Sequence, residues 1–301
     1  MLDAAKVYPV TFHPDAGCNT TDEIIRAQVD ANMRRGLPQV QPHAPNPNVA
    51  VLVCGGPSLN DCEKELVEAV WRGGKVITVN GAYEWCLKRN IRPAATVMLD
   101  AREFNKRFVE TAVPDCKYLL ASQCHPATFD LCADRDTYIW HACSGGDEEL
   151  AAIRKYYFDR TYPVTIGTTV AIRAISLLRM LGFEWIDVFG LDSCWLGGTH
   201  HAYSQNENDI DQVLSVWLRP QAEDGAFVDS HAQHFSCSPW HVKQAQDFLD
   251  LVKDRGESFH LNVHGPGLIA TMIKTGADLS VEQRGQNTVI SPPTASLAKE
   301  N

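Results

Sequence analysis

VAVLVCGGPSLND, residues Val49–Asp61, sets an apolar run, Val49–Cys54, directly against Gly55-Gly56-Pro57-Ser58. A short apolar run ending on glycine and proline predicts a buried strand followed by a turn. Two things can stop a strand on bare glycine. One is a tight turn. The other is the close approach of an anion, since glycine-rich backbone opening a helix lets amide N–H groups and the helix dipole meet a phosphate directly. The stretch matches neither G-x-x-x-x-G-K-[ST] nor G-x-G-x-x-G, so neither common phosphate fingerprint applies.

Outward from this stretch, short apolar runs alternate with amphipathic segments. Strands are predicted at Val49–Cys54, Lys75–Val79, Ala95–Leu99, Tyr118–Ala121, Thr137–Trp140 and Trp185–Phe189, with a late one at Phe259–Asn262. Helices are predicted at Cys62–Arg72, Ala82–Arg89, Thr168–Leu181 and Pro239–Arg255. Strands separated by helices at these distances mean crossover connections, hence an α/β fold with a doubly wound, mostly parallel, Rossmann-like sheet. Residues 1–48 read as an N-terminal arm holding one helical stretch, Thr21–Arg35, and a Pro-rich link, LPQVQPHAPNPN. The domain proper is then 49–282. Residues 196–238, rich in Gly, His, Asn, Asp and Ser, read as a lid over the sheet's edge, and 283–301 as a flexible tail.

Composition narrows the partners. Against 37 Asp+Glu stand 27 Lys+Arg, a formal net charge of −10, and no clustered basic face is present for a nucleic-acid backbone. No apolar run approaches the roughly 18–20 residues of a membrane span. MLDAAKVYPV lacks the basic lead and apolar core of a secretion signal. The ten cysteines show no C-x-x-C pair and no zinc spacing, and read as reduced, structural thiols of a cytoplasmic protein. A homo-oligomer is left open.

In a doubly wound sheet, ligands bind beyond the carboxyl ends of the strands. The candidate rim is therefore Gly55, Gly56, Pro57 and Ser58 after the first strand and Asn80 after the second. Asp100 and Arg102 follow the third, and Asp192 follows the Trp185 strand; Gly167, Thr168 and Thr169 open the long helix. Each has a plain alternative: a Gly-Gly turn, an Asn turn cap, an acid in a loop. As a pair on one rim, Asp100 and Asp192 can hold a divalent metal such as Mg2+. His200, His201, His231, His234 and His241 crowd the predicted lid, where one can act as general base or bind phosphate. Trp195, Tyr203, Trp217 and Trp240 can stack on a flat acceptor or form the lid's own core.

CGGPSLND, then ITVNGAYEWCLKRNIRPAATVMLDAR, then TIGTTVAIRAISLLRMLGFEWIDVFGLDS with GGTHHAY, resembles the 6-hydroxymethylpterin diphosphokinase MptE-like family over about residues 49–275. That family is similar in turn to the motility accessory factor glycosyltransferases and to bacterial lipooligosaccharide sialyltransferases. The resemblance implies a nucleotide site at Gly55, Gly56, Pro57, Ser58, Asn80, Gly167 and Thr168. It also implies a metal-holding role for Asp100 and a general base at His231, or at His234. The tyrosines with which the sialyltransferases hold the departing phosphate are replaced by Cys194-Trp195 and His200-His201, with Tyr203 slightly out of register. Three functions follow as expectations. The first is diphosphoryl transfer from ATP, with Mg2+, to a small hydroxymethyl acceptor resembling a pterin. The second is glycosyl transfer from a CMP- or other nucleotide-sugar, and the third is non-catalytic nucleotide binding.

Overall fold

The apolar run at Val49–Cys54 becomes part of β1 (Asn46–Val53), the strand on which a parallel sheet is centred. The computed structural model describes residues 20–143, 151, 153–156, 160–205, 213–218, 233–255, 260–275 and 279–280. Beside β1 on one side run β2 (Lys75–Val79), β3 (Ala95–Met98), β4 (Lys117–Ala121), β5 (Thr137–Ala142) and β6 (Pro163–Val164). On the other side run β7 (Phe183–Phe189) and β10 (His260–Val263). Every pairing in this sheet is parallel. The chain therefore leaves β1 in one direction as far as β6, then returns to β1's other edge. That reversal puts a topological switch point between β1 and β7.

Alternation along β1 explains why both faces are covered. Val51 and Val53 pack with Leu59, Leu66, Trp85 and Phe189. Helices α2 (Glu63–Trp71) and α3 (Ala82–Leu87) supply that layer. Ala50 and Leu52 point the other way, into a larger cluster that includes Ile172, Ile175 and Phe248 from α5 (Val170–Met180) and α6 (Pro239–Arg255). Each fully buried aliphatic side chain contributes roughly 1.5–3 kcal/mol. A strand buried on both faces reads as a continuous apolar run, which is why β1 was legible. Helix α4 (Pro126–Leu131) follows β4, and α7 (Leu268–Thr275) follows β10. A second sheet, in the order β11 (Leu279–Ser280), β8 (Leu214–Leu218), β9 (Gln233–Cys237), is antiparallel.

Two boundaries differ from the sequence reading. Residues 20–48 are integral to the fold and not an arm outside it. Helix α1 (Asp22–Met33) is capped by Thr21, and its buried Asn32 donates to the carbonyls of Ser122 and Cys124 at 2.9 and 2.7 Å. Gln28 likewise donates to Ala101 O at 3.1 Å. The Pro-rich link is extended, as expected, but it is bonded to β5: Val40 N–H donates to Ile139 O, and Ile139 N–H to Pro38 O. Pro38 supplies one of these acceptors and has no N–H of its own to satisfy. Within the segment expected as a lid, residues 196–205 form a turn over the ends of β1 and β2, and β8 and β9 form the hairpin. The tail 283–301 lies outside the described residues.

The nine described cysteines are buried and form no disulfide with one another. Burial pushes the Cys86 and Cys116 thiols up to about 12, so they behave as small apolar side chains. No helix among the described residues is long and apolar enough to cross a membrane.

The docking of α1 carries a test. Asn32→Ala removes two buried hydrogen bonds and is expected to cost about 2 kcal/mol. The cost would appear as a lower urea midpoint at an unchanged slope. A cost below about 0.5 kcal/mol would mean that α1 is not held through Asn32.

Candidate functional site

At the switch point the ends of β1 and β7 are tied by backbone: Cys54 N–H donates to Phe189 O and Gly56 N–H to Gly190 O, both at 2.8 Å. Ser58 N–H, in the 3-10 turn Pro57–Asn60, donates to Asp192 Oδ2 at 2.8 Å. Here the glycines find their reason. A Cβ on Gly56 would overlap the Asp192 carboxylate and lie 2.6 Å from Gly190 O. One on Gly55 would lie 2.5 Å from the Tyr203 hydroxyl, and one on Gly81 2.6 Å from the Tyr203 ring. Bare backbone is needed to admit Asp192 and Tyr203, groups of the protein itself. The expectation that the amides of Gly55–Ser58 stand open for phosphate is corrected accordingly. Gly56 and Ser58 already have acceptors, and Pro57 has no N–H.

The second predicted phosphate loop is closed in the same manner. Thr168 donates its amide and its hydroxyl to Asp247 Oδ2 at 2.7 and 2.6 Å. Asp247 is buried on α6 and paired with Lys243 one turn earlier. Gln244, on the same face of α6, donates to Thr169 Oγ1 at 2.7 Å and accepts from Ser193 Oγ at 2.6 Å. Gln244 thus links the Gly167–Thr169 segment to the end of β7. The connecting residues on α6 were not anticipated, although His241, Gln244 and Asp247 recur at three-residue spacing on one helical face.

Residues 199–203 fold back across the rim. Ala202 N–H donates to Gly55 O at 2.9 Å, and Asn60 Nδ2 to Ala202 O at 3.2 Å. A run of rings follows: Trp195 and His200 with centroids 4.8 Å apart, His200 and His201 4.6 Å, His201 and Tyr203 5.5 Å. His200 Nε2, His201 Nδ1, Trp195 Nε1, Asn80 Oδ1 and Asp192 Oδ1 are buried atoms with no hydrogen-bond partner, as are both amide atoms of Asn105 after β3. Burial lowers His200, lowers His201 to about 4 and lowers His241 to about 3; nearby imidazoles push His201 and His241 further the same way. All three are neutral at pH 7. His241 Nδ1 accepts from Ser238 N–H at 3.1 Å, which leaves its proton on Nε2. Burial raises the Tyr203 phenol, so it stays a donor, and it raises Asp192 against the opposing pull of the Ser58 amide.

The remaining candidates fall elsewhere. Asn80 takes a left-handed conformation, φ 44°, and its carbonyl accepts from Tyr83, so the turn reading holds alongside its free side-chain oxygen. Asp100 is gripped by Arg102 from the same loop, Nη2 to Oδ2 at 2.6 Å and Nε to Oδ1 at 3.0 Å. The structure does not bring Asp100 and Asp192 together. Their strands, β3 and β7, are three positions apart in the sheet. At about 4.8 Å per strand that is roughly 14 Å, against Mg–O bonds of about 2.1 Å. The two carboxylates do not fit one Mg2+. Among the described residues no group of three or more His, Cys, Asp or Glu is placed to hold a metal. His234 is exposed on β9 with its ring against Trp217, apart from the His200–His201 pair. His231 lies outside the described residues.

Comparison with known proteins adds a family and a fold. The family model for 6-hydroxymethylpterin diphosphokinase MptE-like proteins matches residues 29–198. No curated protein matches the chain. Among solved structures, a MAf glycosyltransferase from Magnetospirillum magneticum AMB-1 superposes with a TM-score of 0.57 at 15% identity over 83% of this chain. The chain spans 37% of that protein's length, and the likeness is one of fold. A mammalian sialyltransferase, solved in complex with Gal-beta-1-3GalNAc-ortho-nitrophenol, matches at 11% identity over 83% of this chain and 88% of its own, with a TM-score of 0.38.

Two tests follow from this geometry. Gly56→Ala is expected to separate the β1 and β7 ends and lower Tm by several degrees; an unchanged Tm would contradict the Asp192 packing. His201, His241 and His141 (in β5, also lowered to about 4 by burial) are held neutral in the fold and have unfolded values near 6.5. Because the unfolded chain binds more protons, their contribution is complete above about pH 6.5 and is lost as the pH falls towards 3. Urea midpoints should decline steeply between about pH 6.5 and 4. His201→Asn and His241→Asn should each flatten the slope by about one proton.

Proposed function

This chain belongs to the 6-hydroxymethylpterin diphosphokinase MptE-like family, and from that membership we propose that it is a transferase whose donor is a nucleotide held at the β1–β7 switch point. The observation that carries this reading is the set of buried polar atoms without partners along that rim, at Asn80, Asp192, Trp195, His200 and His201, around the Gly55–Tyr203 contact. Buried polar groups are nearly always hydrogen-bonded, so partnerless ones at a sheet's switch point support a ligand site there.

The transferred group is diphosphoryl, taken from ATP to a small hydroxymethyl acceptor of the pterin type, as the family's description suggests. Phosphoryl chemistry asks the protein mainly for positioning and charge stabilisation. In this reading the Gly55 amide, the Asn80 side chain and the Tyr203 hydroxyl orient the donor phosphates, and Trp195 offers an aromatic face to the acceptor. Mg2+ would arrive with the triphosphate to screen its charge, and no step is assigned to an Asp100–Asp192 pair. Arg102, already paired with Asp100, stands near the third strand's end as a source of positive charge. One feature favours a second reading, glycosyl transfer from a nucleotide-sugar. Protein hydroxyl and imidazole groups, and no carboxylate pair, gather at the rim, and in this version His231 deprotonates the acceptor hydroxyl.

A thermal-shift panel of ATP, CTP, CMP and UDP, each with and without Mg2+, separates the two. A donor at about 100 times its Kd should stabilise the fold by about 2.7 kcal/mol, roughly 5 °C or more for a chain of this size. A shift with ATP that needs Mg2+ supports diphosphoryl transfer, and one with CMP or UDP alone supports glycosyl transfer. No shift with any nucleotide sinks the proposal. Tyr203→Phe should weaken the active nucleotide about tenfold, the loss of one hydrogen bond.

A further inference from the structure

We propose that Trp195, His200, His201 and His241 form an oxyanion site that becomes protonated when it binds, so that a phosphoryl group is taken up together with a proton from solvent. The inference rests on the nucleotide-donor reading and specifies how the donor's charge is met.

A phosphate needs donors and positive charge. The two loops from which the sequence led one to expect them are closed. Gly56 and Ser58 donate to Gly190 O and Asp192, and Thr168 donates to Asp247, whose other oxygen pairs with Lys243. What stays open is the ring cluster beside Gly55. Trp195 Nε1 can only donate and is buried without an acceptor; His200 Nε2 and His201 Nδ1 are buried without partners. His201 Cδ2 lies 3.1 Å from where a Gly55 Cβ would stand, so the cluster borders the switch point.

A neutral imidazole has one donor; a protonated one has two and a full charge. In the fold alone, burial disfavours that charge on His200 and His201. An oxyanion beside the ring reverses the balance, because an opposite charge at this range favours the charged form. The other titratable groups around the cluster are Tyr203 on the same turn, Cys54 at the end of β1, and Asp192 and Cys194 after β7. Cys86 on α3, Arg107 after β3 and His241 on α6 lie there too. Arg107 is the one permanent cation among these, and it stacks on Phe104 and Phe108. Asp192 is raised by burial and turns its Oδ2 to the Ser58 amide. Imidazole protonation therefore supplies the charge, with His241, its tautomer set by Ser238, as the positioning residue behind the pair.

The test uses the full chain and sulfate, an oxyanion whose own charge is constant across the range examined. Histidine Cε1–H resonances are followed by NMR from about pH 4.5 to 8.5, with and without sulfate, the exposed His43 serving as internal reference. The expected result is a midpoint for His200 or His201 lifted to about pH 7 when sulfate is bound. With the midpoint at that value, sulfate affinity should be roughly tenfold greater at about pH 6 than at pH 8. His200→Gln with His201→Gln should abolish that pH dependence, and Trp195→Phe should weaken sulfate at every pH. Unmoved midpoints, or equal sulfate affinity at both pH values, overturn the inference. Nucleotide binding without a sulfate effect would sink this inference alone. A sulfate effect without nucleotide binding would uphold it and sink the nucleotide reading.

Discussion

The Asp192 carboxylate, buried under Gly56 and accepting the Ser58 amide, is the contact on which the rim depends. It sits where the chain's direction across the sheet reverses, and it joins three segments distant in sequence. The β1 loop reaches it through Ser58, the β7 end carries it, and the β10–α7 turn closes over it. Leu268 N–H donates to its carbonyl at 2.8 Å, and a Cβ on Gly267 would lie 2.5 Å from its Cα. A group larger than glycine at 56 or 267 would push these segments apart.

The same device recurs at Thr168, where Asp247 of α6 takes the amide and hydroxyl. Both helix-opening loops thus have an internal carboxylate where a phosphate was expected. The charge logic of the rim shifts accordingly. Its backbone donors hold the fold together, and its open chemistry lies in side chains: neutral imidazoles, a phenol, an indole and two amides. An overall charge of −10 adds to the case that an anionic ligand must bring its compensation with it or evoke it from the protein.

Much of the frame was legible. Strands β1, β2, β3, β4, β5 and β7 and helices α2, α3, α5 and α6 lie within a few residues of their predicted spans, because strands buried on both faces and helices with one apolar face leave strong periodic signals. Weaker elements were missed for a physical reason. The two-residue β6 and six-residue α4 are too short to show a period, and the eight-residue α7, LIATMIKT, spans little more than two turns. The integration of residues 20–48 was hidden because Asn32 and Gln28 bind carbonyls about 70–90 positions away.

By itself the sequence determined the parallel α/β layering, the strand ends that make the rim and the family to which the chain belongs, all of them carried by local pattern. Tertiary structure alone decided what those strand ends do. It set Asp192 beneath the Gly loop and Asp100 against Arg102, roughly 14 Å apart by strand spacing, where one rim had suggested one metal seat. It also turned Tyr203 and His201 onto Gly55. Such partnerships depend on which loop crosses which strand end, and strand order is a property of the folded sheet that no local stretch of residues encodes.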